Sequence, residues 1–165
     1  MAKVHPRWSA FFVAAGVFLL DRITKAIVES RVAAWETLVV IPGFFNIVRT
    51  HNPGGAFSLL ATADPGWRTA LLVGLSLAAA SLVAVLLWRS QGAGAALRLA
   101  LALILGGALG NIYDRLLYGE VTDFLEFRAG RFHWPAFNLA DSAISIGAML
   151  VLLDFWRSRD TGKRT

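Results

Sequence analysis

With 56% hydrophobic and only 16% charged residues over 165 positions, and a mean hydropathy of +0.58, the chain is too apolar for an ordinary soluble domain and reads as one membrane domain. Its formal charge of +5 does not argue for a nucleic-acid partner, because Lys and Arg fall in short clusters between apolar runs, as orientation in a bilayer requires. There is no cysteine, and the three histidines form no HExxH or HxH pattern, so disulfides and thiol nucleophiles are excluded and neither a metal nor another cofactor is expected.

Met1 to Arg7 followed by an apolar run has the outline of a signal peptide, but no small-residue cleavage site follows and three more hydrophobic segments do. It is read as a retained span. A hydrocarbon core of about 30 Å needs roughly 20 helical residues, and four segments approach that length, at about 8–28, 70–88, 97–115 and 138–156. The first is apolar to Leu20 and then carries Asp21, Arg22 and Lys25. An outer segment at 29–69 follows. In it, apolar and β-branched residues alternate on both sides of a Pro42-Gly43 turn, which predicts a short β-hairpin from Thr37 to Ile41 and Phe44 to Thr50. The second span has no charge; the third carries Gly106, Gly107 and Gly110, small surfaces for close helix packing. The second outer segment, 118–137, is read as a loop holding Asp123, and Asn138 and Asp141 open the last span. Trp35, Trp67 and Trp134 suit a membrane interface.

Four spans put both termini on one side. Lys3, Arg7, Arg89, Arg98, Arg157, Arg159, Lys163 and Arg164 fall in about 26 residues of one set of segments, against Arg31, Arg49, Arg68, Arg128 and Arg131 in about 60 of the other. The termini are therefore expected in the cytoplasm, with 29–69 and 118–137 outside. On this reading the polar residues gather at one face: Asp21 and Lys25 from span one, Asn52 after it, Asn111, Asp114 and Arg115 at the end of span three, then Asp123, Asn138 and Asp141.

Intramembrane charge costs roughly 2.5 to 3.5 kcal/mol on insertion scales, so each such residue needs a reason. Taken singly, most have a structural one. Asp21 and Lys25 are spaced for an i, i+4 ion pair, Arg115 can snorkel to the interface, and Asn138 with Asp141 resembles a capped helix start. Asp64, Asp154 and Asp160 are assigned to solvation. Asn52-Pro53-Gly54-Gly55-Ala56-Phe57 and Gly106 to Gly110 lack the spacing and flanking strand of a phosphate loop. His51 and His133 read as interfacial side chains, and Ser58 and Ser142 have no histidine or lysine in a recognised arrangement.

What remains for hydrolysis is a pair of carboxylates, and Asp123 and Asp141 are the two that the topology brings together. Two carboxyl groups held close cannot both ionise cheaply, so the pair carries one proton. Asp141, at a helix N-terminus, is assigned as the base that activates water and Asp123 as the acid facing the oxyanion.

Five motifs, in order from the first span to the last, resemble those of bacterial lipoprotein signal peptidase, an aspartyl peptidase family. They are Asp21-Arg22-Ile23-Thr24-Lys25, Asn52 to Phe57, Gly106 to Arg115, Val121-Thr122-Asp123-Phe124, and Phe137-Asn138-Leu139-Ala140-Asp141-Ser142-Ala143-Ile144. The resemblance implies an all-α integral membrane enzyme with four transmembrane helices and a small periplasmic β-cradle, in the bacterial inner membrane. It implies removal of the signal peptide from a prolipoprotein just before its diacylglyceryl-modified cysteine, by a single chain among membrane lipids. It implies Asp123 and Asp141 as catalytic residues, with Asn52, Gly54, Asn111, Arg115, Asn138 and Ala140 binding substrate or supporting the site and Asp21, Lys25 and Asp114 structural. Globomycin-like cyclic peptides are implied as inhibitors. Thr122 and Tyr113 stand where aliphatic residues are more usual. Outside the family, a small transporter would need polar residues through the whole membrane, and a non-catalytic assembly factor would make the carboxylates dispensable.

Overall fold

A computed structural model describes residues 8–34, 36–54 and 64–161 of the chain. Trp35, Gly55 to Ser58, the side chain of Asp160 and the basic residues at 3, 7, 163 and 164 lie outside the described residues. Four long helices, α1 (Trp8–Arg31), α2 (Pro65–Arg89), α3 (Ala95–Tyr118) and α4 (Leu139–Thr161), alternate in direction. Three of them, α2, α3 and α4, are long and apolar enough to cross a membrane. α1 is as long, but Asp21, Arg22 and Lys25 interrupt its apolar run. Large apolar side chains such as Phe12, Leu75, Leu82, Met149 and Leu152 are exposed, while the core is small: Ala14, Ala80, Leu87, Leu101, Ala102, Leu105 and Ile112.

α3 is the central helix, packed against each of the other three. Its glycines make this possible. A Cβ on Gly106 would run into the backbone of Ala14 on α1, and one on Gly107 into the carbonyl of Ala140 on α4. Gly147 on α4 approaches α3 in the same way, at the carbonyl of Ala100. With little gain from transferring apolar side chains between lipid and protein, such backbone proximity is what dispersion requires. Gly107→Ala is therefore expected to lower the thermal midpoint in micelles, at a cost of about 1–3 kcal/mol. Gly74→Ala, where nothing lies within 4 Å, should leave the midpoint unchanged or raise it; equal effects at both positions would contradict the packing argument.

The helix ends are set locally. Asp64, read from sequence as merely solvated, caps α2: its carboxylate accepts from the Trp67 amide at 3.0 Å, ahead of Pro65 in the first turn. α3 stops at Gly119, whose φ of 75° is the left-handed cap that glycine tolerates.

The segments between helices form one antiparallel sheet in the order β1 (Thr37–Ile41), β2 (Phe45–Asn52), β3 (Val121–Ala129), β4 (Phe132–Phe137). The first hairpin turns at Pro42-Gly43, as its sequence predicts. The second outer segment is not a loop. It is a second hairpin added to the first, and Asp123 lies on strand β3 opposite Thr50. Charges at 123, 126 and 128 break the apolar run of β3, yet Glu126 is buried and neutralised in place. It accepts from Asn46 at 2.7 Å and Arg128 at 3.0 Å, and His133 stands at 2.8 Å. Arg128 above all holds the Glu126 carboxyl down at about 2. Phe45, Phe127 and Phe137 stack across three strands at centroid distances of 4.9 and 5.9 Å.

Two of the contacts that fasten this sheet to the helices lie at the end of α1. Val28, Val32 and Phe124 form a second apolar cluster between α1 and β3. The Arg49 guanidinium on β2 donates to the carbonyls of Glu29 and Val32 at 3.0 and 3.3 Å, occupying acceptors left open where α1 ends.

Candidate active site

At the end of the bundle beneath the sheet, α1, α3, α4, β2 and β3 bring together nearly every polar residue singled out in the sequence. Asp21, Lys25, Asp114 and Asp123 are almost fully buried, as is Asn138. Buried charge requires partners, and these come from other elements. Lys25 on α1 pairs with Asp21 at 2.8 Å, one turn back, and with Asp114 on α3 at 2.7 Å. Arg22 also pairs with Asp114, and its guanidinium lies 4.6 Å from the Tyr113 ring centre. Two acids and two bases thus offset one another. Asp21 additionally accepts from the Ala140 amide at 3.0 Å, in the first turn of α4, where backbone N–H groups lack helical acceptors. Gly110 leaves room for this carboxylate: a Cβ there would stand 2.6 Å from Asp21 Oδ2.

Above this charge network sit Asp123 and Asp141. Asp123 accepts from Asn138 Nδ2 at 2.7 Å and from Asn52 Nδ2 at 3.0 Å, one donor to each oxygen. Asp141 accepts from Asn111 Nδ2 at 2.7 Å. Asn138 joins the pair, because its Oδ1 accepts from the Asp141 amide at 2.9 Å while its Nδ2 faces Asp123. The capping role foreseen for Asn138 and a role in the polar cluster are therefore one arrangement. Asn52 is oriented in turn by the Gly54 amide, which donates to its Oδ1 at 2.9 Å. Gly54 itself has φ +87°, and a Cβ there would overlap Leu72.

Burial first, and then the Asp141 charge, push the Asp123 carboxyl up to about 6, against the opposing hydrogen bonds from Asn52 and Asn138. The two carboxyl groups therefore sense one another. Arg115, half-buried, donates to the Asn111 carbonyl at 3.5 Å, and its charge reaches Asp141, Asp123 and Asp114. Thr122, a departure from the usual aliphatic residue, spends its hydroxyl on Glu29 at 2.6 Å and ties β3 to α1.

Asp141 also borders an open cavity of ≈ 650 Å³, with Phe127, Trp134 and Phe137 of the sheet on one side and Ser142, Ser145 and Ile146 of α4 on the other. Its walls are mainly apolar, with a carboxylate at one edge, the kind of slot that holds an apolar chain beside a reacting polar group. Sequence reasoning placed Trp134 only at an interface, named Phe137 only as part of a motif, and passed over Phe127 and Ser145. The missing signal was the second hairpin, whose alternation would have put Phe127 and Phe137 on one face.

The family profile for signal peptidase (SPase) II, peptidase A8, matches residues 13–157. The chain belongs to the signal peptidase II family. Among its relatives is the lipoprotein signal peptidase of Solibacter usitatus, 48% identical over 153 residues that cover 93% of each chain. That of Paraburkholderia phymatum is 51% identical, covering 86% of this chain and 84% of its own. In Pseudomonas aeruginosa the lipoprotein signal peptidase is 41% identical, with 89% and 87% covered. A bacterial membrane enzyme solved by the in meso method at 2.3 Å superposes with a TM-score of 0.80 at 28% identity, covering 95% of this chain and 92% of that one. As a signal peptidase II the chain is a membrane-associated aspartic peptidase that removes signal peptides from lipoproteins, and the transporter and assembly-factor readings fall away.

Proposed function

We propose that Asp123 and Asp141 are the catalytic dyad of this signal peptidase II, cutting a prolipoprotein immediately before its diacylglyceryl-modified cysteine. The observation that carries this is the Asn138 side chain, which links buried Asp123 to Asp141 at the edge of an apolar cavity. Asp141, open to the cavity, takes a proton from water as the water oxygen bonds to the scissile carbonyl carbon. Asp123 holds the dyad's proton against the developing oxyanion. When the tetrahedral intermediate collapses, the C–N bond breaks and the proton on Asp141 passes to the departing amine. Asn52, Asn111 and Asn138 orient the carboxylates, the Gly54 amide fixes Asn52, the Ala140 amide ties the residue before Asp141 to Asp21, and Arg115 offsets the negative charge. Asp21, Lys25 and Asp114 hold the helices.

On this reading all four helices cross the bacterial inner membrane, α1 tolerating its charges because they face Asp114 and not lipid. Both termini are cytoplasmic, which places the dyad and sheet at the periplasmic face, where water is available. The chain works as a monomer in membrane lipid, and globomycin-like cyclic peptides inhibit it by filling the cavity beside Asp141. The test is an Asp141→Asn chain assayed on a diacylglyceryl-modified prolipoprotein. No turnover is expected; wild-type turnover would remove Asp141 from the chemistry.

A further inference from the structure

We propose that Lys25 is a positioning residue for peptide cleavage, acting on Asp141 through the side chain of Asn111. The inference rests on the dyad assignment above and adds a duty to a residue otherwise credited only with holding helices together.

An asparagine amide can be turned either way, and only one of its two ends donates. Three asparagines contact the dyad, and each has its oxygen engaged by a group that can only donate. The Gly54 amide holds Asn52 Oδ1 at 2.9 Å, the Asp141 amide holds Asn138 Oδ1 at 2.9 Å, and Lys25 Nζ stands 3.2 Å from Asn111 Oδ1. Each NH₂ is thereby committed to a carboxylate. For Asn52 and Asn138 the lock is backbone. For Asn111 it is an ammonium, which has three N–H donors and no acceptor, assisted by Asn138 Nδ2 at a longer 3.4 Å. With Lys25 in place, Asn111 Nδ2 must face Asp141, where it lies at 2.7 Å and keeps that oxygen an acceptor. Turned over, Asn111 would set its oxygen against the Asp141 carboxylate and would be satisfied only by a proton on Asp141, the form that cannot act as a base.

Lys25 is also the shared partner of Asp21 and Asp114, so Lys25→Met alone would leave two acids facing one base and lose stability. Lys25→Met combined with Asp21→Asn separates the roles. It leaves the pair of Arg22 with Asp114 as it is in the parent and an amide oxygen at 21 to accept from the Ala140 amide, while Asn111 Oδ1 has lost its ammonium. The double variant and the parent should be assayed in micelles on a diacylglyceryl-modified prolipoprotein, with the thermal midpoint measured in parallel. The midpoint is expected to recover most of what Lys25→Met loses. kcat is expected to stay down by roughly 10- to 100-fold, with KM within about twofold of the parent. A kcat restored together with the midpoint would overturn the proposal and leave Lys25 a structural residue. So would a Lys25→Met chain whose kcat falls only in proportion to its folded fraction. The dyad itself is judged separately by Asp141→Asn: if that chain is inactive while the double variant cleaves at the parental rate, the positioning role alone fails.

Discussion

An Asp123→Asn chain is expected to lose cleavage and, at the same time, to become harder to unfold at alkaline pH. The first effect follows from the proposed role: without an ionisable group at 123 the dyad has no acid to meet the oxyanion, and kcat should fall about 10³-fold or more. The second follows from burial. Asp123 is 2% exposed, and its carboxyl is pushed up from 3.8 to about 6. The folded chain thus holds this proton more tightly than the unfolded chain does. That contribution is complete below pH 3.8 and is lost as pH rises through 6. Above that pH, ionised Asp123 destabilises the fold by on the order of 3 kcal/mol. Asparagine avoids this, although its own NH₂ must then face one of the two donors from Asn52 and Asn138, which returns about 1–3 kcal/mol. The difference in thermal midpoint between variant and parent should move in the variant's favour between pH 4 and pH 8. A difference independent of pH would contradict the raised carboxyl. In the parent, kcat/KM should decline as pH rises above about 6, where free enzyme loses the proton from Asp123.

Asp21→Ala is expected to cause the largest loss of stability among single changes in the charge network. Asp21 is fully buried, and the change would leave Lys25 and Arg22 sharing Asp114 alone. It would also leave the Ala140 amide without its acceptor. Breaking a buried pair from one side costs about 3–5 kcal/mol, because the remaining charge keeps its desolvation penalty and loses its partner. The thermal midpoint in micelles should fall by roughly 10 °C. By contrast, Asp64→Ala, at an exposed helix cap, should cost about 1 kcal/mol. If both changes had equally small effects, the network would not contribute to holding α1 against α3 and α4. Activity should fall along with stability for Asp21→Ala, since the Ala140 amide sits one residue before Asp141.

How much of this could be read beforehand differs from residue to residue for physical reasons. The helices were legible because a long apolar run has few alternatives, and the first hairpin because Pro42-Gly43 marks its turn. The second hairpin was not. Its central strand reads VTDFLEFRA, and Asp123, Glu126 and Arg128 suggest solvent to any reading that does not know their partners. Glu126 is satisfied by Asn46, eighty positions away in sequence, and Asp123 by Asn52, seventy-one away. The pairing of Asp21 with Lys25 was visible, being one helical turn apart; the third member, Asp114, was placed at the same level without its partner being evident. The orientation of the three asparagines was invisible, because it depends on which end of each amide meets an obligate donor. Asn138 was readable as a cap, and that one bond turns out to aim its other end at Asp123.

The contact between α3 and α4 at Gly107, Ala140 and Gly147 bears on how the site withstands heat. Glycine and alanine have no rotamers to populate, and the isoleucines packed on these glycines, Ile104 and Ile144, are β-branched and stiff in a helix, so this seam has little side-chain disorder to gain on warming. Asn111 sits one turn beyond Gly107 on α3 and Asp141 directly follows Ala140 on α4. Their alignment is consequently set by main chain against main chain, and it should persist nearly unchanged with temperature until the two helices separate as a unit.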